Sequence, residues 1–252
     1  MIGSIIITTY NRSELLSYGL ESLSKQNLSK DDYEIIVLND GDKDDGTEGI
    51  CELFSDSLNI KYFSTGRDYK YWRIPGYAIN FGLRQAAGQY VFLSCAEIYH
   101  CDNTVAQMIG KLEQDPKALT ICSAKDDCGK FLKKIATNQI VTNKDYDELE
   151  NLHNVRFPFF MGMSKSEIIK IGGYDEEFIG IGFDDNDIVH RLNSSGCHHV
   201  MINSCRIVHL YHPRLPTNEK ELYGRLKHNE RLFYSKKNVI NRNTNKEWGT
   251  SF

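Results

Sequence analysis

The chain alternates short, wholly apolar runs with longer stretches whose apolar residues recur every three or four positions. Ser4-Ile5-Ile6-Ile7-Thr8-Thr9 is β-branched without polar alternation, the pattern of a strand buried on both faces of a parallel sheet. Glu14 to Gln26 follows with Leu15, Leu16, Gly19, Leu20 and Leu23 near helical spacing, and Ser13 is placed to cap it. The same alternation continues as a strand over 34–38, a helix over 47–54, a strand over 59–63, a helix over 76–87 stopped by Gly88, and a strand over 90–93. It predicts right-handed crossovers and an α/β fold with a mostly parallel central sheet flanked by helices.

Beyond residue 100 the periodicity weakens. Helices are expected over 103–114, 164–170 and 184–195, strands over 118–123 and 206–210, and an irregular or hairpin segment over 125–134. A long polar helix over 218–236 carries Leu222, Leu226 and Phe233 on one face. With no repeat, low-complexity tract or clear linker, one domain over 1–215 is expected, in halves 1–100 and 101–215, with a C-terminal helical extension over 216–252.

Composition mainly excludes. A length of 252 residues with 40% hydrophobic side chains rules out a disulfide-stapled miniprotein. The balance of 34 acidic against 30 basic residues leaves no basic stripe, so no nucleic-acid partner is expected. Seven cysteines, odd in number and without a Cys-x-x-Cys pair, fit reduced thiols in a cytoplasmic protein. The longest apolar runs are strand-sized and Met1 runs straight into a strand pattern, so neither a membrane span nor a signal peptide is expected. Arg225, Lys227, Arg231, Lys236 and Lys237 beside the apolar face of the last helix could touch an anionic membrane from outside. Glu219, Glu221 and Glu230 dilute that charge, and a solvated helix packed on the domain is the competing reading.

A parallel sheet binds ligands beyond the carboxyl ends of its strands, where strand order reverses. The segments to read are Thr8 to Arg12, Asn39 to Asp44 and Ser94 to His100, and none is a Gly-x-Gly-x-x-Gly turn or a Gly-x-x-x-x-Gly-Lys-Ser/Thr loop. In the first two, Asp40 could accept from an imide N–H and Tyr10 could stack on a base, although Asp40-Gly41 is also an ordinary turn. In the third, Glu97 and His100 could ligate a divalent cation of the Mg²⁺ or Mn²⁺ type, although a lone glutamate at a strand end is usually just solvated. From Asp175 to Asp187 there are six carboxylates and no basic residue, a self-repelling arrangement unless a cation or a specific task compensates. A helix dipole accounts for Asp184, Asp185 and Asp187 in a first turn but not for Gly180 and Gly182, which point to backbone held close to a ligand. Finally, His209 and His212 end a short strand beside this acidic stretch.

Together these segments resemble a family 2 type glycosyltransferase with the GT-A fold. Ser4 to Arg12 resembles that family's opening strand and base-binding turn, and Ile35 to Gly41 its second strand, ending in an Asp before Gly that contacts uracil. Ala78-x-Asn80-x-Gly82 followed by Ala86-Ala87-Gly88-Gln89-Tyr90-Val91-Phe92-Leu93 resembles the helix and strand leading to its metal motif. Gly172-Gly173-Tyr174-Asp175-Glu176-Glu177-Phe178 through Gly182-Phe183-Asp184-Asp185-Asn186-Asp187 resembles the catalytic segment shared with galactosyltransferases and polypeptide N-acetylgalactosaminyltransferases. The resemblance implies a metal-dependent transfer of a hexose or N-acetylhexosamine from a UDP-sugar to a glycan or lipid-linked glycan. It implies donor contacts from Thr8, Tyr10, Asn11, Asp40, Arg73 and Asn80, with Asp185 as base and Asp184 holding the acceptor. Inversion is the implied outcome, while the acetylgalactosaminyl group retains, so both stay open. One departure stands out: Ser94-Cys95-Ala96-Glu97 replaces the usual Asp-x-Asp, leaving Glu97 and His209 as the implied ligands for Mn²⁺ or Mg²⁺. The same departure motivates the alternative of a catalytically inactive sugar-nucleotide-binding relative.

Overall fold

A computed structural model describes residues 1–41, 45–66, 74–151, 159–180, 182–213 and 219–250. The first half runs β1 (Gly3–Thr9), α1 (Ser13–Ser24), β2 (Tyr33–Asn39), α2 (Thr47–Phe54), β3 (Ile60–Ser64), α3 (Gly76–Gln85) and β4 (Tyr90–Cys95), as the alternation predicts. β1 pairs parallel with β2 on one side and β4 on the other, and β2 pairs parallel with β3. Ile5, Ile6, Ile35, Ile36, Val91 and Phe92 are completely buried, which is why these strands read as unbroken apolar runs. Each such side chain contributes about 1.5–3 kcal/mol of transfer free energy. Ser13 is the first helical residue rather than the cap; Arg12 stands at the cap position, without a side-chain cap bond.

The second half comprises β5 (Ile98–His100), α4 (Thr104–Gln114), β6 (Ala118–Asp126), α5 (Lys130–Ala136), α6 (Asn143–Asp147), β7 (Glu150–Asn151), β8 (Phe160–Ser164), α7 (Lys165–Lys170), α8 (Asp184–Ser194), β9 (His198–His209) and α9 (Glu219–Lys236). The sheet continues from β4 through β8, β6 and β9 to β5, with β7 on the side of β6. β8 is antiparallel to both β4 and β6, and β5 is antiparallel to β9. The parallel expectation thus holds for the first four strands, and the sheet as a whole is mixed.

Three differences from the expected elements have physical causes. The segment expected to be irregular over 125–134 instead ends β6 and starts α5, because the Asp127 carboxylate accepts the N–H groups of Phe131 and Leu132, both at 3.0 Å. The buried strand β8 escaped the pattern because it is only five residues long and contains Gly162. β9 begins eight residues earlier than expected, since its first part, His198 to Ser204, is half-exposed and polar.

Strand order reverses at β1, between β2 and β4, so a crevice opens beyond the carboxyl ends of β1 and β4. The residues set apart as an extension pack against α3 and α8: Phe233 and Trp248 are buried, and the Arg84 guanidinium lies 4.2 Å over the Trp248 ring. All seven cysteines are unpaired. Among the described residues no helix is long and apolar enough to cross a membrane.

Candidate active site

The loops after β1 and β2 are joined at the crevice by a residue with no readable motif. Asp45 accepts from Asn39 Nδ2 at 3.0 Å and Thr47 N at 2.9 Å with one oxygen, and from Asn11 N at 3.2 Å with the other. Asn11 takes a left-handed φ of 49°, which turns the chain toward this partner. The Tyr10 ring lies so close to Gly41 that a Cβ there would come within 2.1 Å of Tyr10 Cδ2, so Gly41 serves this approach as well as a turn. Thr8 closes β1 beside the β4 turn, its carbonyl accepting from Ala96 N at 3.2 Å. Asp40 lies next to these groups, its N–H bonded to Thr9 O at 3.1 Å.

Two of the expected donor residues fare differently. Asn80 is fully buried and ties α3 to the catalytic segment: Nδ2 donates to Tyr174 O and to Glu176 Oε1, both at 2.9 Å, and Oδ1 accepts from Tyr174 N at 2.8 Å. Both amide hydrogens and the amide oxygen are thereby engaged within the protein. Arg73 lies outside the described residues.

At the end of β4, Glu97 Oε1 accepts from Arg12 Nε at 3.1 Å. The imidazole that reaches this carboxylate is that of His212, with Nε2 at 3.8 Å, and not that of His209. His209 Nδ1 is instead bonded to Asp126 Oδ1 at 2.9 Å, and its ring stacks on Phe159 with centroids 4.5 Å apart. Arg12 Nη2 also contacts His212 Nδ1 at 3.1 Å. His212 Nδ1 also lies 3.2 Å from the Pro213 carbonyl, so this nitrogen either accepts from Arg12 or donates to Pro213, according to the tautomer. His100 belongs to the core: its Nδ1 meets Thr104 Oγ1 at 2.7 Å, and burial holds its pKa down to about 3. Among the described residues no three His, Cys, Asp or Glu side chains are grouped as a metal cage. Glu97 and His212 together fit a two-ligand site for Mn²⁺ or Mg²⁺ whose remaining positions a diphosphate would fill.

Opposite stands the acidic segment, and its compensation comes from outside the window. Arg191 Nε meets Asp187 Oδ2 at 2.6 Å, and Arg242 reaches both Asp187 Oδ1 and Asp175 Oδ2 at 2.8 Å. Lys246 Nζ lies 2.8 Å from Glu176 Oε2, and Lys236 pairs with Glu177. Four of the six carboxylates are thereby paired with the protein's own cations, which supply the compensation that their crowding requires. Gly180 and Gly182 have φ of 68° and 86°, but the close neighbours a Cβ would meet are Arg225 and Leu226 of α9, not space for a ligand.

Asp184 and Asp185 are the two that pair with no cation among the described residues. They open α8 behind Phe183, which takes a left-handed φ of 69° at the cap position. Burial, reinforced by Asp187, pushes the Asp184 carboxyl up to about 6. Crowding by protein atoms, then the Asp184 charge, pushes Asp185 up to about 7, although the outer side of the residue faces solvent. The two titrate as a unit, and an aspartate poised near neutrality is suited to take a proton. Tyr174 Oη donates to Asp185 Oδ1 at 3.1 Å, and burial, with the charges of Glu97 and Asp185, raises the Cys95 thiol at the end of β4.

A sheet of this order with an aspartate pair over its switch point has the architecture of the GT-A glycosyltransferases. The model of the family described as glycosyl transferase family 2 matches residues 4–172, and that described as the N-terminal domain of galactosyltransferase matches residues 158–213. The chain belongs to glycosyl transferase family 2. Chondroitin synthase of Escherichia coli is 31% identical over 251 residues, covering 86% of this chain and 35% of that protein. Validoxylamine A glucosyltransferase of Streptomyces hygroscopicus is 25% identical over 226 residues, covering 77% of this chain and 51% of that one. The chain therefore spans between about a third and a half of the length of these curated relatives. Among solved structures, S. aureus TarS shares the fold with a TM-score of 0.68 at 18% identity, over 94% of this chain and 39% of that one.

Proposed function

We propose that the chain transfers a hexose or N-acetylhexosamine from a UDP-sugar to a hydroxyl of a glycan or lipid-linked glycan, inverting the anomeric carbon, with Asp185 as general base. The observation that carries this reading is the Asp184–Asp185 pair at the start of α8, raised toward neutrality and bonded by the Tyr174 hydroxyl. In the step, the acceptor oxygen bonds to the anomeric carbon from the face away from the diphosphate. The bond from that carbon to the diphosphate oxygen breaks, its electron pair leaves with UDP, and the hydroxyl proton passes to Asp185. A base in this position contributes about 10²–10⁴-fold. Asp184 accepts from the acceptor hydroxyls and keeps the Asp185 pKa high.

On the donor side, Tyr10 and Asp40 meet the base, with Thr8 and Asn11 lining the turn. Glu97 and His212 would hold Mn²⁺ or Mg²⁺, which supplies positive charge to the departing diphosphate when bound. Arg12, now shared between Glu97 and His212, is a second cation at the same edge. Solved structures of the same fold support a nucleotide-sugar donor and a divalent ion: TarS 1–349 is in complex with UDP-GlcNAc, and a mannosyltransferase of Pyrobaculum calidifontis with GDP-Man and Mn²⁺. A lipid-linked acceptor would bring α9 near a membrane, with exposed Tyr223, Leu226 and Tyr234 among Lys227, Arg231 and Lys237. Co-sedimentation with anionic vesicles, lost when the exposed Lys227, Arg231 and Lys237 are changed to Gln, tests that contact.

The inactive-relative reading draws on one observation: Ser94-Cys95-Ala96 offers no carboxylate and Glu97 is already paired with Arg12. Incubation with a panel of UDP-sugars, with Mn²⁺ or with chelator, separates the two. UDP release with at least one donor, lost in chelator, is expected; UDP binding with no release from any donor contradicts the proposal.

A further inference from the structure

The catalytic segment contains a buried phenol that a phenylalanine could replace if packing were its only task. Tyr174 is 1% exposed and packs among Ala78, Ile168 and Ile188, yet its hydroxyl is carried to the edge of the crevice, where it donates to Asp185 Oδ1 at 3.1 Å. A buried tyrosine hydroxyl needs a partner, and here the partner is the proposed base. The ring is held from three remote parts of the chain. Asn80 of α3 bonds both the N–H and the carbonyl of Tyr174, at 2.8 and 2.9 Å. Asn243, beyond α9, donates to the Tyr174 carbonyl at 2.7 Å and to the Gly172 carbonyl at 2.8 Å. Arg191 of α8 donates to the Gly173 carbonyl at 2.8 Å. A segment bonded at every residue from Gly172 to Tyr174 leaves the phenol little freedom.

We infer that Tyr174 is a positioning residue for the base, its hydroxyl engaging one oxygen of Asp185 so that the other is aimed at the acceptor hydroxyl. The inference rests on the reading of Asp185 as the base. Among the described residues, Asp184 on its own helix and Tyr174 act on Asp185, Asp185 in turn acts on Cys95 at the end of β4, and the Arg191 charge acts on the phenol from the next turns of α8. Crowding by protein atoms and the Asp184 charge favour the protonated carboxyl; the Tyr174 hydrogen bond favours the ionised one. An anionic acceptor of a hydrogen bond is stabilised by roughly twice as much as a neutral one, so the phenol acts mainly on the form that takes the proton.

The test is Tyr174→Phe, which removes one oxygen and keeps the ring. Loss of the bond should move the acid limb of the kcat/KM profile upward by about one pH unit, since a bond to a charged group is worth that order. Turnover near neutrality should fall several-fold, with the KM for the donor and the melting temperature close to wild type. A profile that superimposes on the wild-type one overturns the inference, because a purely structural role does not move it. Asp185→Asn run in parallel separates the two levels. If it turns over normally, the base assignment itself fails; if it is inactive while the Tyr174→Phe profile is unshifted, only the role of Tyr174 fails.

Discussion

On the donor side of the crevice, β1, β2 and β4 bury Ile5, Ile6, Ile35, Ile36, Val91 and Phe92 completely. On the catalytic side, the chain from Gly172 to Asp187 is tied by Asn80, Arg191, Asn229, Arg242 and Asn243. The first kind of support is non-directional and spread over many side chains, so it tolerates small changes of shape. The second is directional and concentrated in a few polar groups, which places a carboxylate to within the fraction of an ångström that proton transfer needs, but leaves it exposed to loss of a single partner. On the proposed function, a rigid shelf for the donor and a bolted wall for the base are different solutions to different demands.

The contrast is broken most severely at Arg242, which bridges Asp175 and Asp187 inside the protein. Arg242→Ala leaves Asp187 with Arg191 alone and Asp175 with Lys236 alone, at 3.3 Å, and should cost about 3 kcal/mol in urea unfolding. A loss below about 1 kcal/mol would mean that the wall is not held by this cluster.

A smaller, pH-dependent effect should come from Asp184 and Asp185. Their carboxyls are raised to about 6 and about 7 from an ordinary value of 3.8, so the folded chain binds protons more tightly than the unfolded one between these values. The sign follows: the pair's contribution to stability falls as pH rises through that window. The double variant Asp184→Asn with Asp185→Asn should therefore melt above wild type near pH 8, with the gap closing toward pH 4. A gap that does not change with pH counts against raised carboxyls.

On the donor side, Ile36→Val trims one methylene from a fully buried strand and should cost about 0.5–1.5 kcal/mol in the same urea experiment, leaving the pH profile of transfer unchanged. A shifted profile would show the two sides to be coupled. Smallest of all, Lys25→Ala removes an exposed pair with Glu21 on α1 and should change stability by less than about 0.5 kcal/mol.

The same division decides what could be read from the chain alone. The donor half was legible because a parallel strand announces itself within five or six residues and its ligand loops follow directly. Asp184 and Asp185 were legible as a motif, but the reason their neighbours tolerate one another was not: Arg242 lies 55 positions from Asp187 and Asn243 lies 71 from Gly172. The choice between His209 and His212 was out of reach for a different reason. β6 and β9 slip register at Cys122 and Ser123, and beyond that irregularity His209 comes opposite Asp126 and bonds to it, leaving the next histidine to turn to Glu97. The bonds of Asn80 to the Tyr174 backbone were out of reach because a polar residue in a helix leading to the site looks the same whether it faces a ligand or a neighbouring backbone.

The central claim is that Asp185 takes the proton from the acceptor. Its direct test is the turnover of Asp185→Asn beside its affinity for UDP, read by calorimetry. A fall in kcat of about 10²–10⁴-fold with UDP affinity within about twofold of wild type is predicted. Turnover near the wild-type rate would contradict it.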